Sequence, residues 1–316
     1  MDKTAAIIGA GLIGRSWAMV FARAGWRVRL HDGSATQLDA AHAFIAESLD
    51  EQARHGLLVA DVAAVGARIA YVPALEAAVP GVDWVQENLP ETVAHKREIF
   101  TALDRLAPPS AILASSTSAI PASRFTEGLA GRARCLVAHP VNPPHLVPVV
   151  ELCGAPWTAS STIERARDIQ ADIGQVPVVV RRELDGFILN RLQGALLSEA
   201  MRLVGEGYVS PDDLDRTVRD GLGLRWSFMG PLATIELNAP GGIADYCARY
   251  GGFYRGLLRQ PPSPEIWDDV NAARVAAALG PPAAAEDIER RTRWRDRRLM
   301  ALVAHKRGQP DSEAKE

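Results

Sequence analysis

The stretch IIGAGLIGRSWAMVFARAGWRVRLHD, residues 7–32, decides the fold. It opens on an apolar run too short for a helix and passes three glycines, Gly9, Gly11 and Gly14. It then takes up helical apolar spacing and closes on a second short β-like run ending in Asp32. Each glycine has its own duty. Gly9 permits a tight turn, Gly11 lets a pyrophosphate approach the main chain, and Gly14 lets helix and strand pack closely. A helix starting there turns its free amides and its dipole toward negative charge. Alone, GxGxxG is a weak signal that ordinary loops also carry. Here Asp32 follows Gly14 by eighteen residues at a strand end, where a carboxylate meets ribose hydroxyls. Gly9, Gly11, Leu12, Ile13 and Gly14 are therefore the expected cofactor loop. A carboxylate repels a 2′-phosphate, and Gly33, Ser34 and Ala35 bring no arginine to offset it, so NAD is expected over NADP. FAD shares the fingerprint, but the second half shows no second nucleotide pattern.

Outward from that stretch, β-like runs alternate with helical spacing, the pattern of a parallel sheet covered by helices. Strands are expected at 5–9, 26–31, 68–71, 82–86, 111–114, 134–138, 147–152 and 176–181, with helices at 12–24, 36–55 and near 160–173. From Asp185 the character changes to helices almost alone. Residues 185–206 are rich in helix formers and stop at Gly207, and Ser210 with Pro211 reads as an N-cap followed by proline at the first helical position. The expected organisation is a Rossmann-type α/β NAD-binding domain, 1–184, followed by an all-α dimerisation and substrate domain, 185–316. PPSP at 261–264 and GPPAAA at 280–285 read as turns, and DSEAKE at 311–316 as a frayed end.

Bulk properties exclude several classes. At 316 residues, two domains are a better prior than one. A net charge of −3 favours neither nucleic acid nor an anionic membrane as a partner. Cys135, Cys153 and Cys247 show no CxxC spacing, so reduced thiols are expected rather than a disulfide framework or a metal site. No apolar run approaches the roughly 18 residues that span a bilayer, and residues 1–4 leave no room for a signal peptide. A cytoplasmic protein is expected.

A second stretch, LVAHPVNPPHLVPVVEL at 136–152, bears on chemistry. His139 ends an apolar run, prolines at 140, 143, 144 and 148 forbid a helix, and Glu151 follows twelve residues on. A strand, a stiff loop and a returning strand would bring imidazole and carboxylate together. Oxidising an alcohol with NAD needs a base for the hydroxyl proton, and a histidine whose far nitrogen meets a carboxylate suits that task. The plainer alternative is a loop histidine bonded to backbone and a surface glutamate. Among six other histidines, His31 reads as structural and His145 as the main competitor for the base. ASSTSAIP at 114–121 places hydroxyls at the carboxyl edge of the sheet, where ligands bind. DGFILNR at 185–191 puts Asn190 in an apolar helix start, where a cap or a core hydrogen-bonder is equally natural.

GxGxxG with Asp32, SSTS, HPVNP, the glutamate twelve residues later and GFILNR stand in an order that resembles the L-3-hydroxyacyl-CoA dehydrogenase superfamily. Within it, GRSWAM (14–19), VAHPVNPP (137–144), SEAMRLVGEGYVSPDDLD (198–215) and GLGLRWSFMGPLATIELNA (221–239) are most similar to the λ-crystallin/L-gulonate 3-dehydrogenase branch. The resemblance covers nearly the whole chain. It implies an enzyme with His139 as base, Glu151 as its partner, and Ser118 and Asn190 bonding the reacting oxygen. It further implies Asn142 near the nicotinamide and Glu91 and Lys96 at cofactor-contacting positions, although Lys96 also reads as a solvated helix charge. It implies a homodimer with the active site in an interdomain cleft.

The substrate expected is a small 3-hydroxy acid such as L-gulonate. A free acid needs a cation, for which Arg225 is the candidate, since arginine grips a carboxylate bidentately; a structural salt bridge or dimer contact is its alternative role. Short-chain 3-hydroxyacyl-CoA and L-carnitine are the rival substrates. Carnitine's quaternary ammonium favours aromatic rings, and Trp226, Phe228 and Trp17 are available. The rivals of another class are a non-catalytic NAD(H)-binding structural protein of the crystallin type and an NAD-sensing interaction protein.

Overall fold

The computed structural model describes residues 3–309, so the expected frayed end at 311–316 lies outside the described residues. Eight strands form one sheet: β1 (Thr4–Ile8), β2 (Arg27–His31), β3 (Ile69–Val72), β4 (Trp84–Glu87), β5 (Ile112–Ser115), β6 (Cys135–Pro140), β7 (Val149–Gly154) and β8 (Val176–Val180). Their order is β3-β2-β1-β4-β5-β6-β7-β8. Every neighbouring pair is parallel except β6 with β7. The central strands are apolar without alternation because both faces are covered: β1 and β5 are buried at every position.

Helix α1 (Leu12–Arg23) and helix α2 (Ala35–Arg54) lie against one face. Trp17, Phe21, Trp26, Ile45 and Leu49 fill that core. Phe100, Leu103 and Phe125 fill the other with Leu113 and Val137. Full burial of such a side chain stabilises the fold by about 1.5–3 kcal/mol. Gly14 has no room for a side chain, since an added Cβ would land on the Gly9 carbonyl oxygen.

The chain divides into two compact units. One runs from the N-terminal strand to Asn190, past the expected boundary near 184, and takes in the segment from Ile288 onward. That segment was expected to belong with the helical domain. It joins the first unit because Met300 packs with Leu57 and Leu146, and Arg307 donates to the Leu57 carbonyl at 3.1 Å. The second unit, Arg191–Asp287, is built of helices. Asn271 ties it internally through the carbonyls of Ile266, 2.8 Å, and Met201, 3.3 Å. Ser210 caps Pro211–Arg216, with proline at the first turn. Among the described residues no helix is long and apolar enough to cross a membrane.

Candidate active site

The reversal between β6 and β7 sets His139 and Glu151 directly opposite each other as cross-strand partners. His139 Nδ1 donates to Glu151 Oε2 at 2.8 Å, with both residues buried (4% and 2% exposed). The other carboxylate oxygen accepts the amides of Ile188, 2.8 Å, and Leu189, 3.0 Å, in the first turn of the Phe187–Gly205 helix. Burial, the largest influence, pushes the Glu151 pKa up. The bonds from His139, Leu189 and Ile188 together outweigh it, and the group titrates below the ordinary carboxylate value. A carboxylate on Nδ1 fixes the tautomer and leaves Nε2 as the nitrogen able to take a proton. Phe187, which sequence reasoning passed over, holds its ring 5.5 Å from the imidazole at 34°. Its backbone has φ +48°, a left-handed conformation that costs a non-glycine residue about 1–2 kcal/mol.

Ser118 follows β5, and Ser115 pairs with Val137 of β6, so the hydroxyl loop and His139 leave adjoining strands at one carboxyl edge. Asn190 joins them differently from expectation: its amide donates to the Ser118 backbone carbonyl at 2.9 Å. Glu91 is brought to the same loop. One of its oxygens accepts Thr117 Oγ1 at 2.6 Å and the amides of Ser118 and Ala119 at 2.7 Å each.

Lys96 is no solvated helix charge. It is 1% exposed and bonds both Glu87 oxygens at 2.8 Å and the Leu89 carbonyl at 3.1 Å, which engages all three ammonium protons. Glu87 also accepts the Leu89 amide and the Ser115 hydroxyl, each at 2.6 Å. A signal existed in the sequence, since Lys96, Phe100 and Leu103 form one helical stripe, the buried face of Val93–Leu106.

The cofactor loop fits a dinucleotide. Gly9 has φ +94°, and a side chain there would press on the Asn88 carbonyl and Leu89. Gly11 opens on free space, and no side chain caps α1, so its first-turn amides are available to phosphate. Leu12 is exposed and Ile13 half-buried beside them. Asp32 is oriented by the amides of Ala10, 3.0 Å, and Ser34, 2.9 Å. Asn142 is exposed at the start of the proline loop.

His145 is excluded as base. Its two ring nitrogens meet Ser16 Oγ at 3.1 Å and Ser48 Oγ at 3.4 Å. Burial first, then the charges of Arg23, Arg15 and Arg295, push its pKa down to about 3. His31 bonds the Val72 carbonyl at 2.9 Å, a structural role. Cys135 and Cys153 are buried thiols pushed up to about 12, and so poor nucleophiles. Trp17 is fully buried with its Nε1 on Ser116 Oγ at 3.1 Å, which removes it as a wall for a quaternary ammonium. Arg225 lies exposed in the second unit, just after the helical turn Thr217–Gly223.

Residues 4–184 match the 3-hydroxyacyl-CoA dehydrogenase NAD binding domain, and 186–274 match the C-terminal domain of 3-hydroxyacyl-CoA dehydrogenase. The chain is 44% identical over 310 residues to a lambda-crystallin homolog of Bos taurus, covering 96% of each. It is 34% identical over 305 residues to an L-carnitine dehydrogenase of a Pseudomonas species, covering 95% of this chain and 93% of the relative. Among solved structures it is similar to 5-formyl-3-hydroxy-2-methylpyridine 4-carboxylic acid 5-dehydrogenase, an NAD+-dependent dismutase. That match has a TM-score of 0.85 and 29% identity, covering 98% of this chain and 100% of that one.

Proposed function

This chain belongs to the 3-hydroxyacyl-CoA dehydrogenase family, NAD-dependent oxidoreductases acting on CH–OH groups, and on that footing we propose that it oxidises the 3-hydroxyl of a free hydroxy acid. L-gulonate is the leading substrate and 3-dehydro-L-gulonate the product. The observation that carries this reading is the buried His139–Glu151 pair at the carboxyl edge of the sheet.

Gly9, Gly11, Leu12, Ile13 and Gly14 would hold the NAD pyrophosphate and Asp32 its ribose, with Asn142 toward the nicotinamide. When bound, NAD supplies the hydride acceptor. Nε2 of His139 takes the proton of the 3-hydroxyl. Glu151 holds the ring and stabilises the imidazolium that results. Ser118 offers its hydroxyl to the reacting oxygen, on a loop held by Glu91, and Asn190 fixes that loop from the other side. Lys96 and Glu91 serve the cofactor indirectly, by setting the loops after β4 and β5.

A free acid is favoured over a thioester because the similar solved dehydrogenase is named for a small carboxylic acid. Arg225 would take the substrate carboxylate. Carnitine is the second reading, favoured by the Pseudomonas relative, with exposed Trp226 and Phe228 as its aromatic partners. Exposed Leu224, Phe228, Leu232 and Leu237 in the second unit support a homodimer that buries them.

The test is initial-rate NADH formation with L-gulonate, L-carnitine and 3-hydroxybutyryl-CoA, each repeated with NADP. A gulonate rate well above the others with NAD supports the proposal, and Arg225→Met should then raise the KM for gulonate alone. A preference for carnitine or for the CoA ester overturns the substrate assignment. Normal turnover by His139→Gln overturns the mechanism.

A further inference from the structure

The mechanism leaves one buried histidine without a task. His145 sits in the loop between β6 and β7 that joins the base to its carboxylate, yet it faces away from them into a polar seam between α1 and α2. The direction of every hydrogen bond in that seam follows from its ends. The Ser16 hydroxyl donates to the Leu12 carbonyl at 2.8 Å, so toward His145 its oxygen can only accept. Nδ1 of His145 therefore carries the ring proton and donates to Ser16 at 3.1 Å. Nε2 is then an acceptor and takes the Ser48 hydroxyl at 3.4 Å. Ser48 in turn accepts from Gln52 Nε2 at 3.4 Å. Arg23 closes the seam, donating to the His145 carbonyl at 2.6 Å and to Gln52 Oε1 at 3.3 Å.

The result is a one-way relay from Gln52 through Ser48, His145 and Ser16 to the carbonyl of Leu12. It begins on α2, passes through the loop between β6 and β7, and ends in the first turn of α1, at the residue after Gly11. Only a neutral imidazole with its proton on Nδ1 satisfies it, and burial first, then the charges of Arg23 and Arg15 on α1 and Arg295 on the helix Ala285–Arg307, keep the ring neutral. Leu146, next in the chain, packs with Leu57 and Met300, so the loop cannot swing away from the seam.

We propose that His145 is a positioning residue that couples the dinucleotide turn to the loop carrying the base. Through Ser16 it reaches the Leu12 carbonyl in the first turn of α1, whose N-cap is Gly11. Through its own backbone it sets the segment holding His139 and Asn142. This rests on the dehydrogenase reading of the site but not on which hydroxy acid is the substrate.

The experiment measures NADH dissociation constants by fluorescence, without substrate, alongside Tm. Five variants are compared: His145→Leu, His145→Asn, His145→Gln, Ser16→Ala and the double variant of His145→Leu with Ser16→Ala. Asparagine places an amide close to the position of Nδ1, and glutamine close to that of Nε2. Loss of the Ser16 bond should weaken NADH binding roughly fivefold to tenfold, the value of one hydrogen bond. His145→Leu, His145→Gln and Ser16→Ala should all show it, while His145→Asn restores near-native binding. His145→Leu combined with Ser16→Ala should be no worse than either alone. A purely structural histidine would instead give affinities that follow Tm, with Asn and Gln alike; that result, or unchanged NADH binding in folded His145→Leu, overturns the proposal. Because no substrate is added, a failed gulonate assay leaves this test intact.

Discussion

The amide of Ile188 lies 2.8 Å from the carboxylate of Glu151, so the group that orients the base also caps the helix that carries Asn190. One side chain thus serves catalysis and packing at once. Glu151→Gln should lower kcat about a hundredfold or more, since the tautomer of His139 is no longer fixed, with NADH affinity little changed. It should also destabilise the fold by about 1–3 kcal/mol through the weakened cap. The pH dependence has a definite sign. The folded pKa of Glu151 is depressed, so its contribution is present above the unfolded value of about 4.3 and is lost as pH falls through the folded value. Melting curves of wild type and variant should converge in acid; a constant gap down to pH 3 would refute the assignment.

The Glu87–Lys96 pair is buried on both sides, which makes removal of one partner worse than removal of both. Lys96→Met should cost about 3–5 kcal/mol by stranding a carboxylate, and adding Glu87→Gln should recover much of that loss. Denaturant titration of the single and double variants checks this. Equal losses would mean that Lys96 acts elsewhere.

Asp32 is oriented by two backbone amides before any ribose arrives. Asp32→Ala should weaken NADH binding about tenfold or more by removing the ribose acceptor. NADPH binding should improve relative to NADH, because the repulsive charge is gone. Competitive binding of the two reduced cofactors reads this directly. An unchanged NADH/NADPH ratio would place cofactor selection on another residue.

His145 gives the fold a second acid sensitivity. Its pKa is held at about 3 against an ordinary 6.5, so between those values the unfolded chain binds a proton that the fold refuses. Stability therefore declines as pH drops below about 6.5, by about 2 kcal/mol at pH 5. His145→Asn should flatten that part of the profile while leaving unchanged the loss at lower pH that comes from Glu151. Chemical denaturation at pH 7, 6 and 5 separates the two.

The central strands were legible because a strand covered on both faces needs an unbroken apolar run, and β2 because Val28 and Leu30 alternate with polar residues; the eight expected segments became strands within about two residues at each end. The glycine turn and Asp32 were legible because their spacing is set by one strand–helix–strand unit. The His139–Glu151 pairing followed from prolines that left only a strand reversal. What escaped depends on long-range partners. Lys96 lay on one helical stripe with Phe100 and Leu103, but accepting its burial needed Glu87, nine residues earlier, to be known as its counter-charge. Trp17 looked available until Ser116 was seen on its indole nitrogen. Phe187 gave no sign of its backbone conformation, and the return of the C-terminal helix rests on three apolar side chains far apart in the chain.

That return has a consequence for how the polypeptide is made and cut. Arg191–Asp287 is an insertion, with both of its ends joined to one body. A protease nick inside it should yield two bands under denaturing conditions and an unchanged elution volume under native ones. On the ribosome, the first unit must wait: Leu57 and Leu146 emerge well before Met300, and their seam stays open until the last helix has been translated.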